Sequence, residues 1–189
     1  MAGAVAGRLT VGLIPSIARS ALAPVLSRYA DAYPNVELRL IEAYSGTLTE
    51  QVRAQELDFA IVPPTADTAG LEMRLLARDH AVLDTLLATN GISVARVMEL
   101  DAMMATFDLV AHSDWATILP LTACIDDLQA GEDGLWLNPI VDPVIASDFM
   151  LINPASRPLS TAARHFADAF EQELLHCTGR WQALVKAAA

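Results

Sequence analysis

The chain has 189 residues, of which 53% are hydrophobic, and a formal net charge of −11. This length is enough for one large domain or two small lobes, and the apolar content excludes an intrinsically disordered chain. The negative charge argues against direct binding of nucleic acid, since a surface that binds nucleic acid is basic. No uninterrupted apolar run reaches the roughly 20 residues that cross a bilayer, so we predict no membrane contact.

The first half of the chain alternates between predicted strands and helices. A helix is predicted to follow the first strand and to end at Pro34. Because Pro24 lies within its span, this helix either starts late, near Ala23, or is kinked. The other predicted elements are strands at 9–14, 36–43, 58–62 and 71–76 and a second helix at 47–56.

The second half repeats the alternation with shorter elements. Helices are predicted at 84–90, 101–112 and 160–177, strands at 94–98, 115–119 and 147–152, an extended return at 135–143, and a frayed tail at 180–189. Such alternation is typical of βαβ units, which form a parallel sheet. We therefore predict two α/β lobes with a cleft between them.

Polar turns follow the predicted strands and mark a candidate ligand site. Ser16 follows the first strand, Ser45, Gly46 and Thr47 follow the second, and Pro63 follows the third. Ligands of open α/β sheets bind where strands end and helices begin, and helix amides favour anions. Each residue also has a plainer structural role: a helix cap at Ser16, a turn around Gly46 and a loop at Pro63.

A series of short motifs adds information through its order and spacing. The motifs are Gly7-Arg8-Leu9-Thr10-Val11-Gly12, Leu22-Ala23-Pro24-Val25-Leu26, Tyr33-Pro34-Asn35-Val36, Glu42, Ser45-Gly46, Val52, Leu57-Asp58-Phe59-Ala60-Ile61, Glu99, Asp108-Leu109-Val110-Ala111, Trp115-Ala116-Thr117-Ile118-Leu119-Pro120 and residues 160–170. Over most of residues 7–177 this set resembles the effector-binding domain of LysR-type transcriptional regulators.

The resemblance implies a fold, a function and partners. The fold is α/β and similar to type II periplasmic binding proteins, with two Rossmann-like lobes and a central cleft. Lobe I comprises residues 8–78 plus 149–177, and lobe II comprises residues 84–143. A small-molecule effector, expected to be a small organic anion, binds in the cleft of a homodimer or homotetramer. DNA is bound only through a winged helix-turn-helix that this chain lacks.

The same resemblance assigns roles to site residues. It implies that Ser16 and Ser45 contact the effector and that Asp101 faces the cleft from the other lobe. A cap of the helix at 101–112 is the alternative role of Asp101. An acidic side chain there would repel a carboxylate effector, or would select one that also carries an amine. We expect no metal, no cofactor and no catalysis, since the four histidines have no ligand spacing and no catalytic groups are paired.

The sequence departs from the family pattern in one place. The stretch from Arg78 to Asp84 is too short for the crossover that the family has there, so either residues are missing near 79–84 or a deletion is real. We favour missing residues, because a two-lobe cleft needs that crossover.

Two other functions remain open: a free-standing solute-binding protein of a transporter, and an enzyme on the same fold. Residues 1–7 lack the basic start and apolar length of a signal peptide, so we expect a linker there and a cytoplasmic protein.

Overall fold

The computed structural model describes residues 5–79, 96–98, 100, 102–119, 123–124 and 147–188. In chain order, its elements are β1 (Gly7–Leu13), α1 (Pro15–Ala32), β2 (Val36–Glu42), α2 (Ser45–Arg53), β3 (Phe59–Val62), β4 (Leu71–Asp79), α3 (Met103–Ala111), β5 (Ser147–Pro154) and α4 (Thr161–Ala188).

The strands form one five-stranded sheet in the order β2-β1-β3-β5-β4. β1 pairs in parallel with both β2 and β3, whereas β5 runs antiparallel to β3 and to β4. The prediction of a parallel sheet is therefore correct for the first three strands and wrong for β5. A helical crossover forces parallel pairing only between the strands that it joins, and β5 returns to the sheet from the far part of the chain.

Helices cover both faces of the sheet. α1 and α4 lie together on one face, where Phe166 of α4 contacts Phe59 of β3 with ring centroids 6.4 Å apart. α2 lies on the other face, where Leu48 approaches β1 at Gly12. The core is continuous through these layers, and β1 and β3 are buried along nearly their whole length. Strands buried on both faces are typical of sheets enclosed by helices.

The start of α1 differs from the prediction. Pro15 occupies the first helical position, and Ile14 stands at the N-cap. Proline fits this position because its fixed φ is close to the helical value and because an N–H there would have no partner within the helix. Ser16 is therefore in the first turn of the helix, and its predicted role as an N-cap is wrong. The helix continues through Pro24, so the late start near Ala23 is also wrong.

The other boundaries shift by a few residues. α2 starts at Ser45 rather than 47 and ends before 56, β4 extends past 76, and α3 is shorter than 101–112. α4 continues to Ala188, so the predicted frayed tail is wrong. Residues 115–119 form no strand, and neither do 96–98, the part of the strand at 94–98 that the structure describes. The elements predicted at 84–90 and 135–143 lie outside the described residues.

Tyr29 links α1 to α4. Its hydroxyl donates a hydrogen bond to the carbonyl of Ala162 at 2.9 Å, and its ring meets Phe166 edge-on at 4.8 Å. Tyr33 lies beside it at 4.7 Å and stacks on His165 at 5.0 Å. Burial and, secondarily, the neighbouring Tyr33 raise the pKa of Tyr29 to about 12.

This raised pKa predicts a loss of stability in alkali. Below about pH 10, the pKa of tyrosine in the unfolded chain, the Tyr29 hydroxyl is protonated in both the folded and the unfolded state, and its full contribution to stability is present. Its contribution then falls as the pH rises through about 12, the folded value. We expect the free energy of unfolding, measured with urea, to decline over this window. Tyr29→Phe should be less stable at pH 8, where it lacks the bond to Ala162, and should show a flatter decline. An equal decline in the variant would contradict this assignment.

Gly12 is needed for the close approach of α2 to the sheet. A Cβ at this position would lie 2.7 Å from Leu48 Cδ2, 2.8 Å from Leu57 Cδ1 and 3.1 Å from Ala60 Cβ. Leu48 and Leu57 are fully buried, so they have little room to move. We expect Gly12→Ala to lower the free energy of unfolding by about 1–3 kcal/mol through overpacking, as measured by urea denaturation.

Gly179 provides the matched control. It is an exposed glycine within α4, and a Cβ there would meet nothing within 4 Å. Gly179→Ala should leave stability unchanged or raise it by up to about 1 kcal/mol through helix propensity. Equal effects of the two substitutions would show that close packing at Gly12 is not what matters.

Candidate functional site

The candidate site lies at the carboxyl ends of β2, β1 and β3. Leu13, the last residue of β1, is in register with Glu42 of β2 and with Ile61 of β3. The Ala43 N–H donates to the Leu13 carbonyl at 3.2 Å, which holds the strand exits side by side. The starts of α1 and α2 and the loop at Pro63 therefore lie next to one another at one edge of the sheet.

In the described part of the chain, no side-chain cap occupies the first-turn amides of either helix that starts at this edge. Ile14 and Tyr44 stand at the N-caps with extended backbones, and neither side chain caps its helix. α4 differs, since the Ser160 hydroxyl accepts the Ala163 N–H at 3.1 Å. Uncapped amides and the positive end of the helix dipole favour an anionic ligand.

The predicted site residues differ in exposure. Ser16 is buried, Ser45 and Pro63 are half-buried, and Gly46 and Thr47 are exposed. In the part of the chain that the structure describes, the hydroxyls of Ser16, Ser45 and Thr47 have no hydrogen-bond partner. The structure thus brings these five residues to one edge, and it shows no protein partner for the three hydroxyls among the described residues.

Asp101 lies outside the described residues. The N-cap of α3 is Ala102, and its first helical residue is Met103, so the predicted capping role of Asp101 is wrong. Its predicted contact with the effector stays a prediction.

The loop after β3 is held by Arg53 of α2. Its guanidinium pairs with the carboxylate of Asp67 at 2.8 Å and donates to the carbonyls of Asp67 and Ala69 at 2.8 and 3.1 Å. This connection ties α2 to the chain that follows Pro63. The connection therefore helps to hold α2 in position, although it lies outside the edge where the candidate site is.

Sequence reasoning missed Arg19, which lies one turn after Ser16 on α1. Its guanidinium donates to the Ala123 carbonyl at 2.9 Å and to the Met104 sulfur at 3.3 Å. It also lies over the Phe107 ring, 4.4 Å from the centroid. A cation near the amino end of a helix is disfavoured by the dipole, and this was the one available signal. Arg19 connects the sheet to the segment that contains α3.

Tyr44 was missed as well. It stands at the N-cap of α2 and is 50% exposed, a large fraction for an aromatic side chain beside a half-buried turn. Its ring offers a flat apolar surface next to the free amides of α2.

Two hollows in the structure lie away from this edge. One, of about 170 Å³, is lined by Met98, Trp115 and residues of α3. The other, of about 310 Å³, lies between α4 and the strands β4 and β5. Among the described site residues, none of Ser16, Ser45, Gly46, Thr47 and Pro63 lines either hollow, so the candidate site rests on the strand exits and helix starts.

Among the described residues, no group of three or more His, Cys, Asp or Glu side chains is arranged to hold a metal ion.

Within the same ranges, no helix has both the length and the apolar character needed to cross a membrane.

The family model for the LysR substrate binding domain matches residues 2–83 and 80–175. The chain belongs to the LysR substrate-binding domain family. This confirms the resemblance drawn from the motifs, and it favours the ligand-sensing domain of a regulator over a transporter's solute-binding protein. The two matched segments meet at residues 80–83, within the stretch that is short for the family.

A curated relative supports the same family. The HTH-type transcriptional regulator EstR of Acinetobacter baylyi is 31% identical over 77 residues, which are 41% of this chain and 26% of EstR. The match thus spans about a quarter of the length of that relative.

Solved structures show the fold. The reduced form of the regulatory domain of OxyR2 from Vibrio vulnificus has a TM-score of 0.70 at 18% identity, covering 92% of this chain and 99% of its own. The cofactor-binding domain of the Cbl transcriptional regulator has a TM-score of 0.76 at 14% identity, covering 89% and 90%. An H2O2-bound mutant of OxyR from Corynebacterium glutamicum has a TM-score of 0.74 at 19% identity, covering 97% and 73%. The predicted type II periplasmic-binding-protein-like α/β fold is confirmed.

The contacts of Arg19 predict its effect on α3. Arg19→Ala should make the amides of α3 exchange with deuterium several-fold faster, because the segment loses two hydrogen bonds and a cation–π contact. Arg19→Lys should have an intermediate effect, since lysine keeps the positive charge but lacks the planar guanidinium group with its several N–H donors. Arg39→Ala, at an exposed position of β2, is the control and should leave the exchange of α3 unchanged. Unaltered exchange of the α3 amides in Arg19→Ala would show that the contact with Arg19 does not stabilise α3.

Proposed function

We propose that this domain senses a small organic anion for a LysR-type transcriptional regulator. The observation that carries this proposal is the meeting of two uncapped helix starts and three free hydroxyls at the carboxyl ends of β2, β1 and β3. A carboxylate there receives hydrogen bonds from the first-turn amides of α1 and α2 and from Ser16, Ser45 and Thr47. The exposed Tyr44 ring supports an effector that also has an apolar or aromatic part.

The proposed site lies between two lobes. Residues 8–78 and 149–177 form lobe I, and residues 84–143 form lobe II. The contacts of Arg19 with Met104, Phe107 and Ala123 support this division, because they join α1 of lobe I to a segment of lobe II beside the helix start. Pro63 and Asp101 complete the proposed lining, one from each lobe.

The proposed mechanism is a shift of populations. The effector binds one arrangement of the lobes more tightly, and the equilibrium moves by no more than that difference in affinity. The change then reaches a homodimer or homotetramer whose DNA contacts lie in a separate winged helix-turn-helix. The acidic charge of the chain supports this separation, since a surface with a formal charge of −11 repels DNA.

The domain is proposed to work in the cytoplasm and to bind its effector without transforming it. The free groups at the edge are amides and hydroxyls, with no base paired to a nucleophile among the described residues. The family is one of regulators rather than enzymes, which supports the same view.

The test is a thermal-shift screen with small aliphatic and aromatic carboxylates that carry no amino group. At least one should raise the unfolding midpoint, because a ligand that binds the folded state stabilises it. Ser16→Ala and Ser45→Ala should each weaken the affinity for that compound about tenfold through a lost charge-assisted bond, and the double variant should abolish the shift. Ser27→Ala, at an exposed position of α1, is the control and should bind normally. A normal shift in the double variant would place the site elsewhere.

A further inference from the structure

The hollow of about 310 Å³ beside α4 has a mixed charged and apolar lining. Strands β4 and β5, the connection after β5 and helix α4 contribute its lining residues: Glu72, Arg74, Leu151, Asn153, Pro158, Leu159, Arg164 and Asp168. Its volume is at the lower end of small-molecule sites, about 300 Å³, and suits a compound of a few heavy atoms.

The floor of this hollow is set by strand register. Glu72 is opposite Asn153, and Arg74 is opposite Leu151, in the antiparallel pair of β4 and β5. Since alternate residues of a strand share a face, these four side chains lie on the face of the sheet that carries α4, where Glu72 and Arg74 are exposed. Asn153 is buried, and its amide donates to the Glu72 carboxylate at 3.2 Å, which fixes the position of that carboxylate.

Two charges in the lining have no oppositely charged partner among the described residues. Arg74 pairs with Glu171 at 2.8 Å and lies 4.0 Å from Asp168. Arg164 instead donates to the Leu159 carbonyl at 2.9 Å and to the Thr161 hydroxyl at 3.2 Å, and in the described part of the chain no carboxylate pairs with it. No cation pairs with Glu72 within the same ranges. Arg164 and Glu72 therefore line the same hollow but do not pair with each other.

We propose that this hollow binds a zwitterionic ligand of the α-amino acid class. The Arg164 guanidinium receives the carboxylate, the Glu72 carboxylate receives the ammonium group, and Leu151, Leu159 and Pro158 contact a small apolar side chain. A molecule with a single charge would leave either Arg164 or Glu72 without a counter-charge. The proposal does not depend on the anion site at the strand exits, because the two sites share no residue.

The test is calorimetric titration with L-alanine, L-valine, L-leucine and L-proline. At least one should bind. For that compound, the amide, which lacks the carboxylate, and the deamino acid, which lacks the ammonium group, should each bind at least about tenfold more weakly. Glu72→Gln should weaken the binding of the amino acid about tenfold and leave the affinity for the deamino acid unchanged. Arg164→Gln should weaken the amino acid similarly and leave the amide unchanged.

Matched controls separate this site from general charge effects and from the other site. Glu37→Gln and Arg39→Gln make the same charge changes at exposed positions of β2, the opposite edge of the sheet, and should not alter binding. The Ser16→Ala, Ser45→Ala double variant should bind the amino acid normally. The proposal is overturned if none of the four amino acids binds, if the deamino acid or the amide binds as well as the parent, or if Glu72→Gln and Arg164→Gln bind normally.

Discussion

The parallel pairing of β1 with β2 on one side and β3 on the other determines where the candidate site forms. Because the three strands run the same way in close register, their chains leave the sheet at one edge. The helices that follow β1 and β2 then begin there with their amides directed outward. This arrangement requires α2 to approach β1 closely, which is possible because Gly12 presents no side chain to Leu48 and Leu57. The site is thus a consequence of core packing several ångströms away from it.

Much of this part of the fold could be predicted from the sequence. Pro34 and the prolines after β3 mark element ends through backbone geometry, and the apolar runs of β1 and β3 mark buried strands. The side chains that make the edge polar are visible as Ser16, Ser45 and Thr47. Local residue types therefore suffice to predict which turns lie at this edge, whereas the site itself and its ligand stay predictions.

What the sequence did not predict depends on contacts between distant residues. β5 pairs antiparallel with β3 and β4, which are distant from it in sequence, and no local pattern encodes that direction. α1 tolerates Pro24 because its buried side chains at Ala21, Val25 and Tyr29 attach the helix to the core on both sides of the lost hydrogen bond. Residues 115–119 have strand-forming side chains but pair with no strand among the described residues, and β propensity depends on such partners.

Helix α1 connects three features that otherwise lie apart. Its amino end contributes Ser16 to the candidate site, the next turn contributes Arg19 to the contact with α3, and its carboxyl end contributes Tyr29 to the packing on α4. Ser16 and Arg19 lie one turn apart and on the same side of Pro24, so in the proposed mechanism a ligand held by the first turn also biases the Arg19 contact. The attachment at Tyr29 resists displacement of the other end, because its hydroxyl and ring are both engaged by α4. In the proposed mechanism, ligand binding at the first turn of α1 therefore changes mainly how α3 meets α1, which is the kind of displacement that the proposed two-lobe sensor requires.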